Sequence, residues 1–249
     1  MKNRLDHLLV VKKLVPTRSQ AESYIRLGQV KVNGKVISKP GYFVNTEAEV
    51  EFGPKQQYVS RAALKLASVA ETLKLDFKNK TVIDVGSSTG GFTDYALQHG
   101  AKRVVAVDVG TEQLHPRLRT DTRVDLHEKT DIRKFKLSNA SFDIDETEVV
   151  IDIAVIDVSF ISMTMVLPSV AKLISKKGQI VAMLKPQFEA GKDQLNKGVV
   201  KNSAKRRDIL QNFESWCREN KFIILKKSDS AIAGKTGNVE RFYLLTKSN

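Results

Sequence analysis

From residue 58 onward, short segments, most of them rich in apolar residues, alternate with longer amphipathic ones. The apolar segments read TVIDV, RVVAVD, RVDLHE, IAVIDV and QIVAML, and helical segments such as MTMVLPSVAKLI and AKRRDILQNFESWCREN lie among them. Strands this apolar must be covered on both faces, and strands joined through helices pair in parallel. Residues 58–249 are therefore predicted to form an α/β domain with a doubly wound, mostly parallel sheet, which FIILKKS and RFYLLT complete.

Residues 1–57 follow a different pattern. NRLDHLLVVKKL and RSQAESYIRL have apolar residues at helical spacing, with Thr17 as the N-cap of the second helix and Gly28 as its end. QVKVNGKVI alternates around Asn33-Gly34, a hairpin dipeptide, and YFVNTEAEVEF predicts a further strand pair. The linker GPKQQ follows, so we predict a small α+β domain ahead of the larger one.

The charge of the chain indicates a polyanionic partner. Lys and Arg number 41 against 28 Asp and Glu, which gives a formal net charge of +13. Such an excess favours nucleic acid first and an acidic membrane surface second, and a solvated basic surface is the weaker alternative.

The sequence gives no sign of export or of a metal centre. Cys217 is the one cysteine, so neither an internal disulfide nor a cysteine-based metal cluster can form. The apolar run at residues 8–11 is too short for the core of a signal peptide, and no stretch has the length of a transmembrane helix. We therefore expect a cytoplasmic protein with no metal and no stable membrane association.

The stretch DVGSSTGGF directly follows the first strand of the larger domain. Ligands of doubly wound sheets bind at the carboxyl ends of strands, where small residues let them approach the backbone. A phosphate loop would need a lysine where Phe92 stands, and a dinucleotide-binding turn would need a glycine in place of Ser88. Neither a nucleoside triphosphate nor a dinucleotide is therefore favoured.

Two acids complete the pattern of a cofactor without phosphates. Asp108 ends the next strand, where an acid binds ribose hydroxyls, and Asp131 follows the third strand, where it could meet an adenine amino group. These features predict S-adenosylmethionine (SAM). The alternative is that the glycines only permit a tight turn between strand and helix. The residues assigned to the cofactor are Asp84, Gly86, Ser87, Ser88, Thr89, Gly90, Gly91, Phe92, Asp108 and Asp131.

Charged residues at strand ends suggest the chemistry. Asp157 and Lys185 each end an apolar strand, Glu240 opens the last strand, and Lys65 lies on a helix that is otherwise largely apolar. If they converge, Lys185 can act as the base that deprotonates a ribose 2′-hydroxyl, with Lys65 and Asp157 tuning it and Glu240 orienting it. The alternatives are a solvated helix position for Lys65 and a strand-edge role for Glu240.

Other methyl-transfer chemistries fit less well. Methylation of cytosine C5 needs a cysteine nucleophile, and Cys217 lies in a late helix far from the strand ends. Methylation of an adenine amino group usually uses a Pro-Pro-Tyr or Pro-Pro-Phe turn, whereas this chain has DVSF after the fourth strand.

The motifs resemble two known families in a fixed order. RLDHLLVVKKLVPTRSQAESYIRLGQVKVNGKVISKPG resembles an S4 RNA-binding domain, and YVSRAALKL, IDVGSSTGGFTD, VIDVSFIS and MLKPQFEAGK resemble FtsJ-like methyltransferases. Their order resembles the TlyA, or hemolysin A, family over nearly the whole chain. The resemblance implies a Rossmann-like SAM methyltransferase sheet after an S4 domain, and SAM-dependent 2′-O-methylation of cytidines in ribosomal RNA. Its Lys-Asp-Lys-Glu tetrad falls on Lys65, Asp157, Lys185 and Glu240.

The S4 resemblance also implies an RNA-binding face. Carried over to this sequence, the face comprises Arg4, Arg18, Ser19, Gln20, Arg26, Lys31, Asn33 and Lys39. A solvated basic surface is the alternative, and the residues at the start of the second helix could simply cap it. The segment 186–202, PQFEAGKDQLNKGVVKN, is a candidate lid or RNA-gripping loop.

Some positions depart from the family pattern. Ala62-Ala63 stands where Gly-Gly is common, Asp131 where Asn is frequent, and Arg241 where an apolar residue is usual.

Three other functions remain open at this stage: membrane lysis, RNA binding without methyl transfer, and methylation of an RNA that is not ribosomal. The sequence also leaves open whether naked RNA or an assembled ribosomal subunit is the partner, and what the oligomeric state is.

Overall fold

The structure is a computed structural model that describes residues 2–53, 57–137, 150–190, 199–200, 202–234 and 237–248. Its amino-terminal part contains two helices and five short strands. In chain order these are β1 (Lys2–Arg4), α1 (Leu5–Val11), α2 (Arg18–Arg26), β2 (Val30–Val32), β3 (Lys35–Val36), β4 (Phe43–Asn45) and β5 (Val50–Phe52). The predicted α+β character of this part is confirmed.

Local chemistry explains where these elements begin and end. Thr17 caps α2, because its side chain accepts a hydrogen bond from the amide of Gln20 at 3.2 Å. Gly28 ends the helix with a φ of +69°. Asn33 and Gly34 have φ of +49° and +75°, the left-handed values that a two-residue hairpin turn requires.

One pairing prediction is wrong. The strands of YFVNTEAEVEF do not pair with each other: β4 pairs antiparallel with β1, and β5 pairs antiparallel with β2. The reason is that Val44 of β4 and Val50 and Phe52 of β5 each pack against the amino-terminal core from different strand pairs. A hairpin between them would give up those separate contacts.

The larger part is the predicted α/β domain. Its elements are α3 (Arg61–Leu73), β6 (Thr81–Val85), α4 (Gly91–Gln98), β7 (Arg103–Val107), α5 (Pro116–Arg119), β8 (Val124–His127), β9 (Ile151–Ile156), α6 (Met163–Leu173), β10 (Ile174–Leu184), α7 (Pro186–Glu189), α8 (Ser203–Glu219), β11 (Phe222–Asp229) and β12 (Arg241–Lys247). They form a seven-stranded sheet with the order β11-β12-β10-β9-β6-β7-β8. Only β12 is antiparallel to its neighbours, so the mostly parallel sheet is confirmed.

The strand order places the ligand edge of the sheet. From β6 the chain runs outward to β7 and β8, and then returns to β9 on the other side of β6. The gap between the carboxyl ends of β6 and β9 is therefore the switch point, where ligands of such sheets bind. Gly86 lets the chain after β6 lie against the backbone of Asp157. A Cβ at position 86 would lie only 2.7 Å from the Asp157 carbonyl oxygen.

Residues of the larger part complete the core of the amino-terminal part. The apolar cluster of the amino-terminal part includes Leu64 of α3 and Ile232, both from the larger part and both almost fully buried. Hydrogen bonds also cross between the parts, from Gln20 Nε2 to the Tyr58 carbonyl at 3.3 Å and from the Tyr58 amide to the Tyr24 hydroxyl at 3.1 Å. The domain boundary between residues 57 and 58 stays a prediction.

Three sequence predictions fall wholly or partly on positions outside the described residues. Most of the linker GPKQQ, almost all of the acidic insert SFDIDETEVV, and residues 191–198 and 201 of the candidate lid belong to this group.

Candidate active site

A cavity of about 480 Å³ opens at the carboxyl ends of β6, β7 and β9. Of the residues predicted to bind the cofactor, Gly86, Ser88, Asp108 and Asp131 line this cavity. Asp157 lines it too, so the cavity reaches the predicted catalytic residues. Thr89 lines a neighbouring cavity instead.

Asp108 is held firmly at the end of β7. Its two carboxylate oxygens accept hydrogen bonds from the amides of Ser88 at 2.8 Å and Gly110 at 2.7 Å. Ser88 in turn donates from its hydroxyl to Gln113 at 3.1 Å. A carboxylate oxygen can accept more than one hydrogen bond, so Asp108 can also receive two hydroxyl donors from a ligand.

Asp131 also lines the cavity, and Arg133 pairs with it at 2.6 Å. The hydrogen bonds from Arg133 lower the pKa of Asp131 to about 2. The carboxylate is therefore charged at neutral pH. A ligand amino group would have to share it with the guanidinium.

The last three residues of the glycine stretch pack against protein. A Cβ on Gly90 would lie 2.3 Å from a Leu118 methyl, and a Cβ on Gly91 would lie 2.4 Å from Ser60 Oγ. Phe92 is buried, with its ring 6.0 Å from that of Phe242. These contacts favour the tight-turn interpretation for the three residues, and a direct role in cofactor binding stays a prediction.

Buried polar atoms without partners surround the same turn. Among the described residues, Ser60 Oγ, Ser87 Oγ and Asp84 Oδ1 have no hydrogen-bond partner. The other oxygen of Asp84 accepts from the Thr93 amide at 2.8 Å and the Thr93 hydroxyl at 2.6 Å. Burial raises the pKa of Asp84 to about 7. Buried polar atoms are nearly always hydrogen-bonded, so this set fits the ammonium and carboxylate of an amino-acid ligand such as the methionyl end of SAM.

The predicted catalytic residues come together as two ion pairs. Lys65 Nζ lies 2.8 Å from Glu240 Oε1, with the side chains 12% and 2% exposed. Lys185 Nζ lies 2.6 Å from Asp157 Oδ1. Glu240 can reach this edge because β12 runs antiparallel to β10, so that the start of β12 lies beside the end of β10.

The two pairs act on each other. Burial raises the pKa of Asp157, while the positive charges of Lys185 and Lys65 lower it and the negative charge of Glu240 raises it. The charges of Lys65, Lys185 and Glu240 therefore all act on the Asp157 carboxylate. The site thus holds two cations and two anions in a largely buried position.

Sequence reasoning missed the residues that flank Lys185. Ser159 accepts a hydrogen bond from Lys185 Nζ at 2.8 Å, and the Phe188 ring lies 5.8 Å from the same nitrogen. Phe160 is 91% exposed and packs on Phe188 with ring centroids 5.0 Å apart. The motif DVSF contains Ser159 and Phe160, but its spacing does not mark either of them as a site residue.

Several residues of the expected RNA face have partners within the protein. Arg4 and Arg18 both bind the buried Asp6, at 2.7 Å and 3.1 Å. Gln20 is only 8% exposed and contacts Tyr58. The guanidinium of Arg61 donates to the Ser19 hydroxyl, so Ser19 also lies between the two parts of the molecule.

The remaining expected RNA-binding residues lie on the surface. Lys31 pairs with Glu51 at 3.2 Å, and Asn33 accepts from the Glu49 amide at 3.1 Å. Arg26 and Lys39 are exposed. An RNA-binding role for the whole set stays a prediction.

Arg241, which departs from the family pattern, has a partner in the structure. It pairs with Asp229 at 2.7 Å. Asp229 lies on the neighbouring strand β11 and also pairs with Arg206 at 2.7 Å.

Fold and site together define a Rossmann-like methyltransferase: a mostly parallel seven-stranded sheet with a glycine turn and acids at the ends of adjacent strands. Residues 58–247 match the FtsJ-like methyltransferase family, and residues 3–50 match the S4 domain. The chain therefore belongs to the FtsJ-like methyltransferase family and carries an amino-terminal S4 domain.

Known relatives extend over nearly the whole chain. It is 34% identical to the 23S rRNA (cytidine-2'-O)-methyltransferase TlyA of Campylobacter jejuni, covering 96% of this chain and 98% of that protein. It is 35% identical to the 16S/23S rRNA (cytidine-2'-O)-methyltransferase TlyA of Mycobacterium tuberculosis, covering 97% and 89%. A solved structure from Streptococcus thermophilus superposes with a TM-score of 0.72 at 39% identity, covering 100% of this chain and 89% of that one.

The described residues include no helix that is both long enough and apolar enough to span a membrane.

Proposed function

We propose that this protein transfers the methyl group of SAM to the 2′-hydroxyl of a cytidine in ribosomal RNA. The observation that carries the proposal is the two ion pairs Lys65–Glu240 and Lys185–Asp157, of which Asp157 lines the cofactor cavity. The TlyA relatives are named for this reaction on 23S RNA and on 16S and 23S RNA. Such a protein would work in the cytoplasm.

Residues that line the cavity, together with buried polar atoms beside the glycine turn, fit SAM. Asp108 would accept hydrogen bonds from the ribose hydroxyls, and Asp131 would meet the adenine amino group. The unpartnered atoms of Ser60, Ser87 and Asp84 would receive the ammonium and carboxylate of the methionyl end. When bound, SAM supplies an electrophilic methyl group on a sulfonium.

Lys185 would remove the proton from the attacking hydroxyl. Its amine lies 2.6 Å from Asp157 Oδ1 and donates a hydrogen bond to Ser159 at 2.8 Å, and these two contacts would fix its direction. In the neutral form an amine has two N–H groups and one lone pair. Asp157 and Ser159 can take the two N–H groups, so that the lone pair is left for the 2′-hydroxyl proton. The ribose oxygen gains the methyl group as Lys185 gains the proton.

The second ion pair would keep this arrangement in place. Lys65 adds a positive charge close to Asp157, and Glu240 balances it. With Lys185 protonated, as it is after the proton transfer, the four side chains have no net charge. A buried carboxylate without a cation would be strongly disfavoured, so Lys65 and Glu240 support the base without contacting the substrate.

The surface near Lys185 suits an unstacked nucleotide. Phe160 offers an exposed aromatic face next to Phe188, and aromatic faces stack on nucleic-acid bases. A base on Phe160 would bring its own ribose toward Lys185. The S4 domain and the net charge of +13 would supply the sequence-independent attraction for the RNA backbone.

The direct test incubates the purified protein with radiolabelled SAM and separate small and large ribosomal subunits from cells that lack the gene. The expected result is label in RNA that resists alkali at one or two sites, as 2′-O-methylation requires. Absence of label in both subunits, with SAM binding intact, would overturn the proposed substrate.

Lys185→Ala is the matched variant for this assay. We expect kcat to fall by about 10²–10⁴-fold, the usual contribution of a general base, while calorimetry shows unchanged SAM affinity. A variant that keeps most of its activity would exclude Lys185 as the base.

A further inference from the structure

We propose that Glu189 is a positioning residue for methyl transfer: it fastens the turn of residues 157–162 so that this turn holds Lys185 in its reactive direction. The inference rests on the proposed function. Glu189 is not among the residues that line the cofactor cavity, and its carboxylate contacts neither Lys185 nor Asp157. It would act only through the turn.

The turn between β9 and α6 contains a strained residue. Phe160 has a φ of +62°, the left-handed region that a bulky side chain rarely occupies. Such conformations persist where contacts on either side hold them, and they are frequent at functional sites.

On the amino-terminal side, Lys185 holds the turn. Its amine contacts Asp157 and Ser159, the residues that precede Phe160 by three and one positions. These contacts are also the ones that direct the amine. A change in the backbone at Phe160 would move Ser159 and release one of them.

On the carboxyl-terminal side, Glu189 holds the turn. Its Oε2 accepts a hydrogen bond from the Ser162 hydroxyl at 2.6 Å, and its Oε1 accepts one from the Met163 amide at 2.7 Å. Ser162 is also the N-cap of α6, with its hydroxyl oxygen accepting from the Thr164 amide at 3.2 Å. Glu189 therefore joins the end of the turn to the start of the helix.

Lys185 and Glu189 belong to one short segment. They stand at the start and end of the segment that forms α7, and Phe188 between them packs on Phe160. This segment therefore contacts the strained turn through three side chains, those of Lys185, Phe188 and Glu189. Loss of the Glu189 contacts leaves the carboxyl-terminal side of the turn free to relax. The backbone change would then weaken the hydrogen bond between Lys185 and Ser159.

The test compares Glu189→Ala with Glu189→Gln. Glutamine keeps an oxygen for the Met163 amide and offers an N–H to the Ser162 oxygen, so it should restore the link. At saturating SAM and RNA we expect Glu189→Ala to lower kcat about tenfold or more, and Glu189→Gln to stay within about threefold of the unsubstituted protein.

A double-mutant cycle separates positioning from general destabilisation. In a Ser159→Ala background, the Glu189→Ala change should cost less than about twofold in kcat, because the contact it protects is already gone. An equal loss in both backgrounds would overturn the positioning role, as would an unchanged kcat in Glu189→Ala alone.

Hydrogen exchange gives a readout that needs no activity. The amides of residues 158–163 should exchange faster in Glu189→Ala and not in Glu189→Gln, with the Met163 amide affected most. Unchanged exchange would overturn the inference. Unsubstituted protein without methyl transfer would refute the proposed function instead, and the exchange data would still decide whether Glu189 holds the turn.

Discussion

Asp84 is expected to make the protein less stable as the pH rises from about 4 to about 7. Burial raises the pKa of this carboxyl from the ordinary value of 3.8 to about 7. Over that window the folded protein keeps a proton that the unfolded chain has lost, so the contribution of Asp84 to the free energy of unfolding decreases with pH. Above pH 7 the loss is complete.

The pKa values set the size of the effect. The interval between 3.8 and about 7 corresponds to about 4 kcal/mol at most, since one pH unit is worth about 1.4 kcal/mol. Asp84→Asn cannot ionise. The free energy of unfolding of this variant, relative to the unsubstituted protein, should therefore rise by about 2–4 kcal/mol between pH 4.5 and pH 8. The pH-independent cost of the substitution cancels in this difference.

The assay is urea unfolding at both pH values, followed by fluorescence of Trp216, the one tryptophan. Its ring stacks near Phe222 with centroids 5.7 Å apart, so unfolding changes its surroundings. Asp76→Asn removes a negative charge from the surface and serves as a control for the change in net charge. A rise below about 1 kcal/mol for Asp84→Asn would show that the buried carboxyl ionises without the cost assigned to it.

Three further results are expected. Asp108→Ala should weaken SAM binding about 10- to 100-fold in calorimetry, since hydrogen bonds to a charged group are worth about 1.5–3 kcal/mol; equal affinity would remove Asp108 from the cofactor site. Lys65→Met should cost about 3–5 kcal/mol in urea unfolding because Glu240 is left buried and unpaired, and adding Glu240→Leu should recover most of it; a loss below about 1 kcal/mol would contradict this. Phe160→Ala should raise KM for RNA about tenfold or more through lost base stacking, with Phe160→Tyr as the control that keeps it; equal KM values for the two variants would exclude stacking.

The course of the sheet could be predicted because its signal is local. Apolar strands and amphipathic helices differ in the period of their hydrophobic pattern. Each strand of the larger domain can therefore be recognised from a few consecutive residues. Asp157 and Lys185 could be placed at one edge for the same reason, since the carboxyl ends of parallel strands lie together. The position of Glu240 could not be predicted in this way. It depends on β12 being antiparallel to β10, which no local sequence pattern shows.

Other features depend on contacts between distant segments. The partners of β4 and β5 are set by which strand pair covers each side of the small core. Arg4 and Arg18 are of the residue type that binds phosphates, yet both bind Asp6. Sequence spacing cannot distinguish an arginine that is available to bind RNA from one that pairs with a buried acid of the same protein.

The cofactor site shows the same limit. The glycine turn and Asp108 follow from the order of residues after each strand. Ser60 lies at the start of a helix and looks like an ordinary cap, but its side chain makes no capping hydrogen bond. Only the packed structure shows that its hydroxyl is buried without a partner among the described residues. A site role for Phe160 could not be predicted, because an exposed phenylalanine in a turn belongs to no periodic sequence pattern.

Helix α3 serves both halves of the molecule with adjacent residues. Leu64 completes the core of the amino-terminal part, while Lys65 pairs with Glu240 in the site. Exchanging the S4 domain for another RNA-binding module would leave Leu64 and Ile232 without cover. We expect the two parts to be inherited together, with their contact surface changing only in concert.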